Sequence, residues 1–549
     1  MMDNHIAYRE SWNLNINNNK GFFILISILF LIISYTPYHH WDEFYYLYTL
    51  NYHSLTELLI KENELSGGLF PNGFFSSKIG SIIIIWLLIK IFGAGWLSLY
   101  ILQFIFALFL IGFFFSSYKF YMELTDPTDL VNSEWALTAS IIVLFLPVTM
   151  YLSFKTLTEV PALFFNTFGL WMFIKSIRET VPKKICIQLS LAFIGIALGT
   201  ICRLIFLLNF IGLVFSYAMI YRQRYPLKII VNRALIISTA LFVLFLFVFL
   251  LIGDHLVQSA GPLKDIIMIK KERDGGGVKV YVFMMYFQCF IILLPFSLLF
   301  KWNRPFKLSI FWLCISAIPL FIAASNLEPR YFSIGLLPTA IIINQGLQNF
   351  VKSLRLNKKK IVLISLVSIV IVNRFIFMPL SLYEIDQKQL KKIISDVYKY
   401  QPKATLILPW LTDYCFLKFV YPDKQIRSSI TTLPGTEANN SFIQTNAFKW
   451  WIGRNNHVST LEELMGQSKP WIYIGRSFSP AREKLYEYLS ILRINHLMQR
   501  KGDNDPLSSS WIWNNAVLKL DLSRRQGPYN AYRIEHSQRI NEGIDLHGF

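Results

Sequence analysis

Asp42 and Glu43 are adjacent carboxylates that follow His39, His40 and Trp41, just beyond an apolar run that begins at Gly21. A carboxylate pair at the point where an apolar segment leaves a bilayer can supply a base at the boundary between lipid and water. The same residues also suit the solvated start of a loop. Lys78, Glu159, Arg203 and Arg330 stand at the edges of other apolar runs. Glu159 lies in Thr156-Leu157-Thr158-Glu159-Val160-Pro161, where the helix dipole and a proline in the first turn both favour a helix start. Arg203 divides two apolar runs, and Arg330 follows Ser325-Asn326-Leu327-Glu328-Pro329, so each also fits an interfacial anchor. Ionisable groups at membrane depth are costly, however, and several arriving from separate helices mark a site more often than an accident. Cations in such a place suit a phosphate or pyrophosphate, whose oxygens accept charge-assisted hydrogen bonds.

The elements that must position these residues are membrane helices. The chain has 549 residues, of which 54% are hydrophobic and only 16% charged. One soluble core cannot hide that much apolar surface, so lipid must solvate part of it. The net charge of +19 comes from Lys and Arg clustered between apolar runs, the pattern of cytoplasmic loops and not of a nucleic-acid surface. The run from Gly21 to Tyr35 lacks a small-residue cleavage site before the polar stretch that follows, and reads as a retained signal-anchor. Apolar runs of membrane-spanning length fall near 21–36, 96–117, 135–153, 158–175, 186–203, 205–220, 234–252, 280–300, 308–325, 331–349 and 361–379, about eleven in all.

Strict alternation puts the basic connections 175–184, 221–233, 301–307 and 352–360 on one side, which the positive-inside rule makes cytoplasmic. The acidic connection 119–134 also falls on that side, but acidic residues weigh little in the rule. Asp42-Glu43, Lys78, Glu159, Arg203 and Arg330 then share the opposite, outer side. The apolar stretch 78–92 is short, and counting it as a span would reverse every later loop. It is expected as an interfacial or re-entrant helix within an outer loop covering 37–95.

From Ser381 onward short apolar runs, 404–408, 471–474 and 516–520, alternate with helical segments such as Arg482 to Arg493. That pattern predicts a soluble α/β domain over 381–549, outside the membrane, following a polytopic α-helical domain over 1–380. The five cysteines are scattered without ligand-like spacing. There is no Walker loop, no dinucleotide glycine motif and no His-Glu-x-x-His, and Gly275-Gly276-Gly277 reads as a hinge. Without a nucleotide-binding loop, an activated donor would be a lipid-linked one reached from within the membrane.

With these residues in place, the chain resembles the polytopic C-type glycosyltransferase superfamily, in particular protein O-mannosyltransferases and lipid A aminoarabinose transferases. Tyr38-His39-His40-Trp41-Asp42-Glu43-Phe44 resembles the acidic pair that opens the family's first outer loop. The segment from Phe70-Pro71-Asn72 to Lys78 is similar to a His-Pro-Pro-to-Lys segment on a surface helix, with the His and second Pro missing here. Thr158-Glu159-Val160-Pro161-Ala162 stands where the family has a second acidic residue at a helix start. Asn326-Leu327-Glu328-Pro329-Arg330-Tyr331, followed by Leu337-Pro338, resembles a late Arg-Tyr motif.

The resemblance implies an inverting transfer of a sugar from a polyprenyl-phosphate carrier to a hydroxyl or phosphate of a lipid, glycan or protein acceptor. Asp42 would be the general base, Glu43 would orient the acceptor or a metal ion, and Glu159 would meet sugar or acceptor hydroxyls. Lys78 and Arg330, with Tyr331 and Arg203 beside them, would hold the lipid phosphate, although Arg203 has no firm family counterpart. His40 and Trp41 would contact substrate. A divalent cation, Mg or Mn, on Asp42 and Glu43 is the one cofactor implied. Membrane lipids are partners and nucleic acid is not. The expected location is a bacterial inner membrane with the site facing outward. Two other readings stay open: a polymerase or ligase of lipid-linked glycans, and a transporter or flippase.

Overall fold

In lipid every backbone donor and acceptor must be satisfied within the protein, so long apolar runs become helices. A computed structural model describes residues 21–35, 38–39, 41–60, 78–124, 132–222, 225–247, 250, 304–323, 329–354, 385–386, 391, 394–395, 398–399, 405–408, 411–424, 426–428, 471–476, 517–520 and 529–535. Helix α1 (Gly21–Ser34) leads through the short strand β1 (Tyr38–His39) into α2 (Trp41–Tyr52) and α3 (Leu55–Ile60). After these come α4 (Ile79–Phe92), α5 (Trp96–Leu124), α6 (Asn132–Phe145), α7 (Pro147–Leu152), α8 (Glu159–Arg178) and α9 (Pro182–Cys202). A 3-10 turn (Leu204–Phe206) enters α10 (Leu207–Tyr221), followed by α11 (Leu227–Phe247) and α12 (Arg304–Ala323). A second 3-10 turn (Pro329–Gly335) leads into α13 (Leu336–Leu354).

Five of the described helices are long and apolar enough to cross a membrane: α5, α8, α9, the Leu204–Tyr221 segment and α11. Leu97, Phe215 and Phe242 are exposed on them, an arrangement that lipid solvates and water would not. The protein is therefore an integral membrane protein. The expected spans at 280–300 and 361–379 lie outside the described residues.

Among the boundaries that differ from the sequence expectation, two change how a run is built. The run 135–153 is not one helix but α6 and α7, separated at Leu146. Pro147 is the reason: it forces Leu146 to φ −59° and ψ 141°, off the helical path, and then suits the first position of a new helix. The run 331–349 likewise starts as a 3-10 turn and becomes α-helical only at Leu336. Helix α4 has 14 residues, or about 21 Å at 1.5 Å per residue, which is short of the ~30 Å apolar core of a bilayer. It packs against α2 and α9 through Ser81, Ile82, Ile85 and Ile89, while Leu87, Ile91 and Phe92 stay exposed.

Among the described helices, α8 and α9 pack together most extensively. A Cβ added to Gly195 would lie 2.7 Å from the Gly169 Cα, and one on Gly199 would lie 2.8 Å from the Asn166 nitrogen. Small residues four apart let the two backbones approach, as is common between membrane helices. Asn166 then ties the hairpin to α10. Its Nδ2 donates to the Phe206 carbonyl at 3.2 Å, and its Oδ1 accepts from Asn209 Nδ2 at 3.1 Å. Helix α10 packs on α12, where Trp312 Nε1 donates to the Asn209 carbonyl at 3.0 Å.

Beyond α13, the strand β2 (Ile385–Asp386) returns to pair antiparallel with β1, setting Tyr38 opposite Asp386 and His39 opposite Ile385. Further on come β3 (Thr405–Leu408), α14 (Leu411–Val420), β4 (Ile426–Ser428), β5 (Trp471–Arg476), β6 (Val517–Leu520) and β7 (Tyr529–Glu535). They form a mixed sheet in the order β4-β3-β5-β7-β6, parallel from β4 to β5 and antiparallel beyond. The boundary expected at 380/381 and the helix expected over Arg482 to Arg493 lie outside the described residues. Helix α14 packs on α2, where the Tyr52 hydroxyl donates to the Lys418 carbonyl at 3.3 Å. Burial, with the Asp423 carboxylate adding to it, pushes the Tyr52 phenol up to about 12, so it remains a donor at neutral pH. A second tie is made by Lys391, whose Nζ donates to the Tyr100 hydroxyl at 3.2 Å and sits 4.6 Å from the Trp96 ring centre.

Candidate functional site

A hairpin of two helices returns its start and its end to the same level, and here those two points are Glu159 and Arg203. Glu159 opens α8, and Arg203 is the first residue beyond α9, where the chain turns extended at φ −159° and ψ 107°. The glycine packing holds the two backbones together, and Arg203 Nη2 comes to 3.2 Å from Glu159 Oε1. Arg330, carried on the 3-10 turn before α13, brings its Nε to 3.8 Å from the same oxygen. That separation is an ion pair and is too long for a hydrogen bond. Lys78 also acts electrostatically on Glu159. Its placement follows from the start of α4, where Gly80 abuts Cys202 and the Ser81 hydroxyl donates to the carbonyls of Thr158 and Cys202 at 3.1 and 3.3 Å.

The Lys78 ammonium donates to the Tyr46 hydroxyl at 3.0 Å. Tyr46 lies on α2 three residues after Glu43, one helical step away on the same side. Glu43 is fully buried, and its Oε1 accepts from the backbone N–H of Thr156 at 3.1 Å. Thr156 belongs to the connection 153–158 between α7 and α8, and two residues later Thr158 Oγ1 donates to Glu159 Oε2 at 3.2 Å. One short connection thus contacts both carboxylates. It is also strained, since Phe154 is held at φ 55°, a left-handed conformation that an aromatic residue rarely adopts.

Five of the residues expected from the sequence are therefore gathered by five separate elements: Glu43, Lys78, Glu159, Arg203 and Arg330. Glu159 is 1% exposed, and Lys78 and Arg330 are nearly as buried. Among the described side chains, three cations, Lys78, Arg203 and Arg330, act on the single carboxylate of Glu159. Charges in such a setting are weakly screened, so an added anion would be held strongly. Asp42 lies in the first turn of α2 beside Glu43. Its side chain, those of Trp41 and Tyr331, and all of His40 lie outside what is described.

Arg203, for which the family offers no firm counterpart, has its guanidinium 3.2 Å from Glu159. Sequence reasoning missed Tyr46, Ser81, Thr156 and Thr158. The helical step from Glu43 could have found Tyr46; nothing in the sequence marks the others as more than loop or helix hydroxyls.

The divalent cation expected on Asp42 and Glu43 turns on the Asp42 side chain, which lies outside the described residues. No group of three or more His, Cys, Asp or Glu side chains occurs among them. The cations around Glu159 would repel a metal ion placed there.

No protein-family model and no curated protein matches the chain. Solved structures similar in fold include ArnT from Cupriavidus metallidurans bound to undecaprenyl phosphate, at 12% identity and a TM-score of 0.49 over 93% of this chain and 97% of that one. They also include the oligosaccharyltransferase AglB from Archaeoglobus fulgidus in complex with an inhibitory peptide and a dolichol-phosphate. There the identity is 12% and the TM-score 0.42, over 83% of this chain and 69% of that one.

Proposed function

We propose that the protein is an inverting glycosyltransferase that moves a sugar from a polyprenyl phosphate to an acceptor hydroxyl or phosphate at the outer face of a bacterial inner membrane. The observation that carries this reading is the buried gathering of Lys78, Arg203 and Arg330 around Glu159, with Glu43 hydrogen-bonded to the connection that leads into Glu159. Cations gathered beside an acidic pair suit a reaction in which negative charge grows on one group while another loses a proton. Asp42 takes the proton of the acceptor hydroxyl as its oxygen attacks the anomeric carbon. The bond from that carbon to the phosphate oxygen breaks, its electron pair stays on the phosphate, and the anomeric centre inverts.

Lys78, Arg203 and Arg330 stabilise the charge that develops on the departing lipid phosphate. Glu43, fixed by the Thr156 amide, orients the acceptor. Glu159 holds the two guanidiniums in place, a role that goes beyond the contact with sugar or acceptor hydroxyls expected from the family. The C-terminal region, tied to the entrance of α2 by β1 and β2, borders the acceptor side.

The test is Asp42→Asn, assayed for transfer from a polyprenyl-phosphate sugar in detergent. Removal of a general base is expected to cost about 10²–10⁴-fold in turnover, with the melting temperature unchanged. Wild-type turnover in the variant would overturn the assignment of the base.

A further inference from the structure

Thr156 is fully buried, and its Oγ1 has no hydrogen-bond partner although its own backbone N–H is engaged by Glu43. Buried hydroxyls are nearly always paired, because an unpaired one keeps the whole cost of leaving water. Six other buried serine and threonine hydroxyls among the described residues also lack a partner: Ser27, Thr49, Ser117, Ser216, Ser333 and Thr339. All six lie on helical turns, where rotation about one bond offers the carbonyl three or four residues back. Thr156 lies outside any helix and has no such carbonyl.

Its surroundings explain why the hydroxyl stays where it is. The connection 153–158 is pinned at both ends, by Ser153 Oγ against Ser34 Oγ at 2.7 Å and by the Thr158 carbonyl on Ser81. Between them, Phe154 is held left-handed with its ring edge-on to Tyr35, 5.4 Å between centres. A non-glycine residue in that conformation persists only where its neighbours over-determine it, and such residues concentrate at ligand sites. The segment so fixed carries Thr156, whose own amide binds Glu43, two residues before Thr158, whose hydroxyl binds Glu159 beside Arg203 and Arg330.

We infer that the Thr156 hydroxyl is a substrate-binding group, which hydrogen-bonds an oxygen of the donor's sugar-phosphate head. This rests on the donor reading above. A hydroxyl both donates and accepts, so it suits either a phosphate oxygen or a sugar hydroxyl.

The experiment compares the full-length wild type with Thr156→Val and Thr156→Ser in detergent. Melting temperature is measured alone, with decaprenyl phosphate, and with decaprenyl phosphomannose. Valine keeps the shape and removes the hydroxyl. Without lipid, Thr156→Val melts no lower than the wild type, since no hydrogen bond is lost. With lipid, it loses more than half of the wild-type rise in melting temperature, and Thr156→Ser recovers at least half of that loss. A deficit already present with decaprenyl phosphate assigns the contact to phosphate, and one confined to the mannosyl form assigns it to the sugar. Equal lipid-induced rises in wild type and Thr156→Val overturn the inference alone, as does a lower melting temperature of Thr156→Val without lipid. A wild type that neither lipid stabilises overturns the donor reading, and this inference with it.

Discussion

The α8–α9 hairpin has an ion pair at each end of α8, and the two differ in everything but length. At the end of α8, Arg178 Nη1 meets Glu123 Oε2 at 3.2 Å, with the side chains 18% and 24% exposed. At its start, Arg203 meets Glu159 at the same 3.2 Å, with exposures of 13% and 1%. The first pair is a near-surface contact in a neighbourhood that also holds Lys119 and Lys175. It keeps more contact with solvent than the pair at Glu159, and is screened more strongly. The second has lost most of its water and is shared with Arg330 and Lys78. Its desolvation cost offsets much of the Coulomb gain, so stability alone does not account for it. Equal distances therefore carry different meanings: one pair steadies the partly exposed end of α8, and the other fixes buried guanidiniums around one carboxylate.

That contrast can be broken most decisively at Glu159. Glu159→Gln leaves two buried guanidiniums without their shared carboxylate and is expected to cost about 3–5 kcal/mol of stability, read by chemical denaturation in mixed micelles, together with transfer activity. Gly199→Ala tests whether helix packing sets the pair. A methyl 2.8 Å from the Asn166 nitrogen must push α9 away from α8, at a net cost of about 1–3 kcal/mol. Transfer should fall with stability in that variant, because Arg203 moves with the end of α9. Glu123→Gln, at the opposite end, is expected to cost no more than about 1 kcal/mol and to leave transfer intact. If the Glu123 and Glu159 variants lost similar amounts, the distinction between the two ends would be wrong.

Much of the site could be read from the sequence because alternation across a membrane is a strong constraint. Once the basic connections fix one side, the ends of the helices bearing Glu159, Arg203 and Arg330 must share the other. Lys78 followed because α4 is too short to cross. What could not be read is what depends on close contact. Pro147 is visible in the sequence, but its effect of splitting one span into α6 and α7 depended on which proline-bearing run would bend and which would break. Gly195 and Gly199 fit a small-residue motif, yet their value depends on meeting Gly169 and Asn166, residues about thirty positions earlier. The connection 153–158 looks like an ordinary loop in sequence, and only its hydrogen bonds to Glu43 and Glu159 give it a part in the site.

The pairing of β1 with β2 joins Tyr38–His39, at the entrance to the acidic helix, to Ile385–Asp386, made by the ribosome after every membrane helix described. Chains emerge and fold from the N-terminus onward. The bundle can thus be inserted while the strand leading into Asp42 still waits for its partner. A nascent chain arrested near residue 380 would hold its helices in the bilayer with the approach to its own acidic pair unclosed. The strand that leads into the acidic helix is thus closed by a segment made only after every described membrane helix.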